Sequence, residues 1–265
     1  MSAIFLEGVG VLGPGLPDWP QARAVLRGEA AWADVQVKPN PALLTGEARR
    51  RSGEHIRFAV QAAGEAVNDA GRDAATLASV FASSEADGHI THHICEQVAS
   101  PAPQVSPTKF HNSVNNAPAG YWSMAVQSLA PSTSLAGYDG SFAAGLFEAQ
   151  QQVLAENRAV LLVVHDAQLP EPLHRVRPLA GSFAAALVLS PERTAKSRAR
   201  LRVALAHAAV TPCEIDALEP LRTGNPAARA LPLLGALARG QSVRMVLPYL
   251  DDLALVAELD DVRTR

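Results

Sequence analysis

Four groups of side chains have types and spacings that could do chemistry. Gly8-Val9-Gly10-Val11-Leu12-Gly13 carries the letters of a dinucleotide-binding loop. That loop works only when a helix opens at its last glycine and turns its N–H groups towards a pyrophosphate. Pro14, Gly15, Pro17 and Pro20 follow here, so a helix is implausible and the run reads as a strand closing into a Gly/Pro loop, with no cofactor. His89 and His93 stand one helical turn apart, with His92 and Cys95 close by, which is half of a zinc pattern. No second ligand pair accompanies them, and Asp87-Gly88 marks a loop, so the cluster reads as a solvated helix start and no metal is expected.

Ser132, Ser134 and Ser141 would suit a hydrolase, with a base drawn from eight histidines. The Gly-x-Ser-x-Gly elbow is absent, however, and Gly140-Ser141-Phe142-Ala143-Ala144 lacks its second glycine. The fourth group is Asn112, Asn115 and Asn116, just before the small residues Ala117, Ala119 and Gly120. A local helix cap accounts for one asparagine. Three point to a buried interface or a shaped pocket.

These groups sit in a chain of 265 residues, 48% hydrophobic and 18% charged, with a formal net charge of −3. That is ample for one sizeable core, and residues 1–265 are expected to form a single domain. No basic excess argues for nucleic acid. No apolar run approaches the roughly 20 residues of a bilayer span, and no basic-then-apolar leader is visible. A cytoplasmic protein is expected, with Cys95 and Cys213 as free thiols.

The elements that must position the four groups alternate between strand and helix. Strands are predicted at 3–11, 77–83, 132–136, 159–165, 182–190, 200–208 and 243–248, with a last strand or helix at 253–259. Helices are predicted at 21–27, 46–70, 92–99, 117–129, 142–156 and 227–239. The 182–190 and 200–208 strands read as an antiparallel pair joined by 191–197. The class is α/β, a mixed sheet flanked by helices.

The order of these elements and several strings resemble the thiolase-fold condensing enzymes, the β-ketoacyl synthases. Asn116-Ala117-Pro118-Ala119-Gly120 resembles their Asn-x-Ala-Ala-Gly helix start, and Leu129 to Gly140 their strand into a nucleophile elbow. Val160 to Ala167 and Gly181 to Leu189 resemble the two strands that follow. Phe110-His111-Asn112-Ser113-Val114 and Ala119-Gly120-Tyr121-Trp122-Ser123 are similar to a short subgroup, the chain-length-factor-type proteins of aryl polyene and related type II polyketide or fatty-acid systems. The resemblance covers about residues 1–210, the N-terminal half of a ketosynthase; residues 211–265 are a shortened part that it does not place.

At the elbow the chain departs from the family. Tyr138 falls where the nucleophilic cysteine would stand, with Gly137 as the other alignment, and a phenol is a bulkier and weaker acid than a thiol. The two catalytic histidines of the condensing enzymes have no counterpart, since no histidine follows His207. The resemblance therefore implies an inactive subunit, a pseudoenzyme in a heterodimer with an active ketosynthase, meeting acyl carrier protein only indirectly. Tyr138 and Phe142 would fill or gate the acyl tunnel, with a plain core aromatic as the alternative for Tyr138. Asn112, Asn115, Asn116 and Tyr121 would face the partner. The other open readings are an acyl-thioester transferase or hydrolase using Ser and His, and a homodimeric acyl-binding scaffold.

Overall fold

Eight strands among the described residues form one mixed sheet, in a computed structural model that describes residues 3–263. In chain order the elements begin with β1 (Ile4–Leu12), α1 (Trp19–Leu26), α2 (Gly46–Arg51), α3 (Glu54–Ala70), β2 (Ala78–Ala82), α4 (Gly88–Val98) and α5 (Pro107–Asn112). They continue with α6 (Ala117–Val126), β3 (Ser132–Leu135), α7 (Ser141–Glu156), β4 (Val160–Asp166), α8 (Leu173–Val176), β5 (Phe183–Ser190) and β6 (Ala199–Ala206). The last four are α9 (Glu219–Gly224), α10 (Leu231–Arg239), β7 (Val243–Pro248) and β8 (Ala254–Asp261). Across the sheet the order is β3-β2-β4-β5-β1-β6-β8-β7. β2 pairs parallel with both β3 and β4, so the C-terminal ends of these three strands lie together. That is where open α/β sheets place their sites.

Successive residues of the central strands alternate between two cores. Val160, Leu162 and Val164 join α1, α7 and α10 on one face, while Leu161 and Val163 join α3 and α6 on the other. Burial on both faces is why β4 and β5 carry unbroken apolar runs and not an alternating pattern.

The glycines of β1 are packing residues. A β-carbon on Gly8 would fall 2.1 Å from the Ala66 carbonyl oxygen, and one on Gly10 2.1 Å from that of Ala62. Helix α3 therefore lies directly on the strand, its Ala62, Ala66 and Ala70 forming one small-residue line at four-residue spacing. β6 pairs with β1 only as far as Leu6. Beyond it the α3 carboxylates replace the missing strand: Val9 N–H donates to Asp69 Oδ2 at 2.9 Å and Val11 N–H to Glu65 Oε2 at 2.8 Å. Burial raises Glu65 to about 7, against the pull of the Trp19 and Val11 N–H groups that donate to it. At the bulge between Leu6 and Gly8, Glu7 is buried and takes a two-pronged bond from Arg72, at 2.8 and 2.9 Å.

Three expectations change. The helix over 46–70 is two helices, because Ser52 and Gly53 are extended and Gly53 sits against the Asp87 carboxylate. The helix expected from His92 starts at Gly88, where Asp87 accepts a bond from Ile90 N–H at 3.1 Å. β5 and β6 are not a hairpin: β1 lies between them, antiparallel to each, so they run parallel to one another. The segment past residue 210 builds α10, whose residues from Leu231 to Ala238 are all buried, and two further strands on the same sheet.

Candidate functional site

β3 delivers the chain to a sharp turn ahead of α7. Tyr138 there adopts φ +48°, in the left-handed region that side chains rarely enter. Such strain costs on the order of 1–3 kcal/mol and persists only when its surroundings over-determine it. They do so here. The Ser141 hydroxyl donates to the Tyr138 carbonyl at 2.7 Å and accepts from Gly137 N–H at 3.1 Å. Gly140 lies against the Tyr249 backbone, where a β-carbon would sit 2.3 Å from the carbonyl oxygen. Asp139 is gripped by Arg177 at 3.1 Å and Arg229 at 3.2 Å.

Tyr138 is 62% exposed and lies under the Arg177 guanidinium, which is 3.8 Å from the ring centroid. It is thus not a core aromatic. Phe142, one turn further on, is fully buried and belongs with Leu146 and Leu162 to the core shared by α1, α7 and α10. The two residues expected to form one gate therefore part company, Tyr138 on the surface and Phe142 inside.

The asparagine group divides as well. Asn112 is buried; its Nδ2 donates to the Arg51 carbonyl at 2.9 Å, and its Oδ1 accepts from the Tyr121 hydroxyl at 3.3 Å. Asn112 and Tyr121 thus tie α5 to α2 and α6 within the chain, and Tyr121 also lines the surface hollow beside α6. Asn115 is half-buried, its Oδ1 without a partner among the described residues, and Asn116 is exposed at the start of α6. Around Asn116 lies a shallow apolar hollow formed by Phe110, Val114, Gly120 and Met124. Phe110 and Met124 are 66% and 64% exposed. Leu129 is fully exposed between α6 and β3, and among the described residues β3 is the outermost strand, paired on one side only.

A polar cluster that sequence reasoning missed lies at the ends of β2 and β4. Asp166 Oδ1 accepts from Ser84 N–H and Ser84 Oγ, both at 2.7 Å, and from Ser83 Oγ at 3.1 Å. Burial pushes its carboxyl up to about 6, against the pull of those bonds. His165 meets His55 of α3 edge-on, with ring centroids 4.4 Å apart. Burial lowers His55 to about 4, opposed by the Asp87 carboxylate, and holds His165 well below its ordinary range. Both serines bond Asp166 and not an imidazole, so the cluster has no nucleophile–base pair.

Both histidines stay neutral in the folded chain, whereas unfolded they take up protons below about 6.5. Their contribution to stability is complete above that pH and is lost as pH falls towards 4. Asp166 works in the opposite sense, its contribution fading as pH rises from about 3.9 in the unfolded chain through about 6 in the folded one. Between pH 6.5 and 4, wild type is expected to lose on the order of 2–3 kcal/mol more than His55→Asn. Urea denaturation at several pH values measures this, and parallel pH profiles for the two proteins would contradict it.

Among the described residues no three His, Cys, Asp or Glu side chains converge as metal ligands; His92 instead pairs with Glu96 at 3.3 Å. No helix among them is long and apolar enough to cross a membrane.

The family described as beta-ketoacyl synthase, N-terminal domain, matches residues 19–243. Comparison with curated protein sequences finds no match. Among solved structures, the chain is similar to a ketosynthase (ApeO) in complex with its chain length factor (ApeC) from Xenorhabdus doucetiae, at TM-score 0.74 and 21% identity, covering 97% of this chain and 100% of that one. The ishigamide ketosynthase/chain length factor gives TM-score 0.74 at 14% identity, covering 98% and 100%. A type II polyketide acyl-carrier protein in complex with its ketosynthase gives 0.75 at 11%, covering 98% and 99%. These likenesses show the thiolase-like fold, and the family match, spanning most of the chain, places this protein in the beta-ketoacyl synthase N-terminal-domain family.

Proposed function

We propose that this chain is a non-condensing, chain-length-factor-type subunit that pairs with an active ketosynthase and shapes the acyl tunnel in aryl polyene or type II polyketide or fatty-acid synthesis. The observation that carries the reading is Tyr138. The elbow has a strained left-handed backbone at Tyr138, and it presents a phenol ring where, by the resemblance, the family's reactive thiol would stand. Ser141, the nearest hydroxyl in sequence, is buried and spent within the turn, which disfavours a serine hydrolase.

The partner surface in this reading is the outer edge of β3 with the hollow beside α6. Asn115 and Asn116 belong to it. Gly120 supports it further: a β-carbon there would meet nothing within 4 Å, so its own chain has no need of a glycine at that point. Acyl carrier protein meets the complex through the ketosynthase.

Co-expression with a ketosynthase encoded beside it tests the pairing, with a stable one-to-one complex as the expected result. A lone monomer without affinity for that ketosynthase would overturn the proposal. Within the complex, Tyr138→Ala is expected to shift products towards longer chains, read by mass spectrometry. Unchanged lengths would remove Tyr138 from the tunnel.

A further inference from the structure

We infer that Arg177 is a positioning residue for Tyr138, fixing the phenol ring from the connection between β4 and β5. The inference rests on the reading of Tyr138 as the tunnel residue. The left-handed backbone sets where the Tyr138 side chain leaves the main chain, but it does not set the ring's rotation. Tyr138 is largely exposed, and the guanidinium 3.8 Å from its ring centroid is a contact that can hold the ring.

Arg177 is itself held from two other directions. Its Nε donates to Glu85 at 3.2 Å and its Nη2 to Asp139 at 3.1 Å. Glu85 follows β2, Asp139 follows β3 and Arg177 follows β4, so one planar cation joins the connections leaving all three parallel strands. These donors act in the guanidinium plane, which leaves the face free to stack. A lysine ammonium is a point charge and cannot make these three contacts together.

Arg229 supports the arrangement from the other side. It binds the second carboxylate oxygen of Asp139 at 3.2 Å and also the Asp139 carbonyl. It thereby anchors the elbow's backbone and leaves the first oxygen to Arg177. The Arg177 side chain is only 18% exposed, and a cation held out of water attracts a π face more strongly than an exposed one. In this arrangement the β4–β5 connection decides how far the ring reaches over the partner's tunnel.

The test uses the chain labelled with 3-fluorotyrosine, alone and in the ketosynthase complex. Its tyrosines are Tyr121, Tyr138 and Tyr249, and Tyr138→Phe assigns the Tyr138 fluorine signal. Arg177→Gln is expected to move and narrow that signal while leaving the other two in place. In the complex it is expected to broaden the product-length distribution, with total product within about twofold of wild type. Arg177→Lys is expected to fall between the two. An unmoved Tyr138 signal overturns the positioning role, and so does a moved signal with a uniform loss of product at unchanged lengths. The gate reading is judged separately, by Tyr138→Ala, so the two failures are distinguishable.

Discussion

If the proposed pairing holds, a chain carrying Phe110→Asp together with Met124→Asp is expected to bind the ketosynthase about a hundredfold or more weaker than wild type. Both side chains stand largely in solvent at the hollow beside α6, so the free chain should keep its stability to within about 0.5 kcal/mol. Burying two carboxylates in an apolar contact would then weaken only the complex. Titration of the labelled chain with purified ketosynthase measures the effect. Val35→Asp is the control, since Val35 is exposed in the connection between α1 and α2, held against Gly15 just past β1, with three strands between β1 and β3 in the sheet order. Equal losses in both variants would move the interface elsewhere.

Gly10→Val is expected to be severely destabilising. A β-carbon at Gly10 would sit 2.1 Å from the Ala62 carbonyl oxygen and 2.9 Å from the Ala66 nitrogen, and helix backbone cannot step aside as a flexible side chain can. Overpacking typically costs about 1–3 kcal/mol and sometimes more. Separating α3 from β1 would also stretch the bonds from Val9 and Val11 to Asp69 and Glu65, so a loss above about 4 kcal/mol is expected for valine and about 3 for alanine. That is a large part of the roughly 5–15 kcal/mol available to a domain. Gly28→Ala is the comparison, because nothing lies within 4 Å of its added carbon and only its φ of +75° opposes the change. Chemical denaturation ranks the variants, and a Gly10→Ala protein as stable as Gly28→Ala would refute the close-packing account.

Much of the fold was legible because burial on both faces writes itself as apolar runs, as in β4 and β5. The partner of each strand was not legible. Periodicity marks β5 and β6 as strands, but nothing local says that the 191–198 connection crosses β1, where Arg198 bonds the Glu7 carbonyl and Asp69. The helix split at Ser52 and Gly53 depends on Asp87, which is distant in sequence. At the elbow, the turn through Tyr138 was legible because a strand, a glycine pair and a helix start stand together in the sequence. The bond from Asn112 to the Arg51 carbonyl was not legible, because its two ends lie 61 residues apart. Glu65, which accepts from both Val11 and Trp19 N–H groups, and the His55–His165 contact escaped for the same reason.

The one-sided pairing of β3 has a consequence for how the protein lives in a cell. A strand with a free row of backbone donors and acceptors is a template for any extended chain that reaches it. Here it adjoins exposed Leu129, with Phe110 and Met124 on the neighbouring helices. Under the proposed pairing, a surplus of this chain over the ketosynthase would leave that template open, so its yield as intact protein should follow the supply of ketosynthase. In that pairing, balanced synthesis of the two chains is a condition of keeping this one in solution.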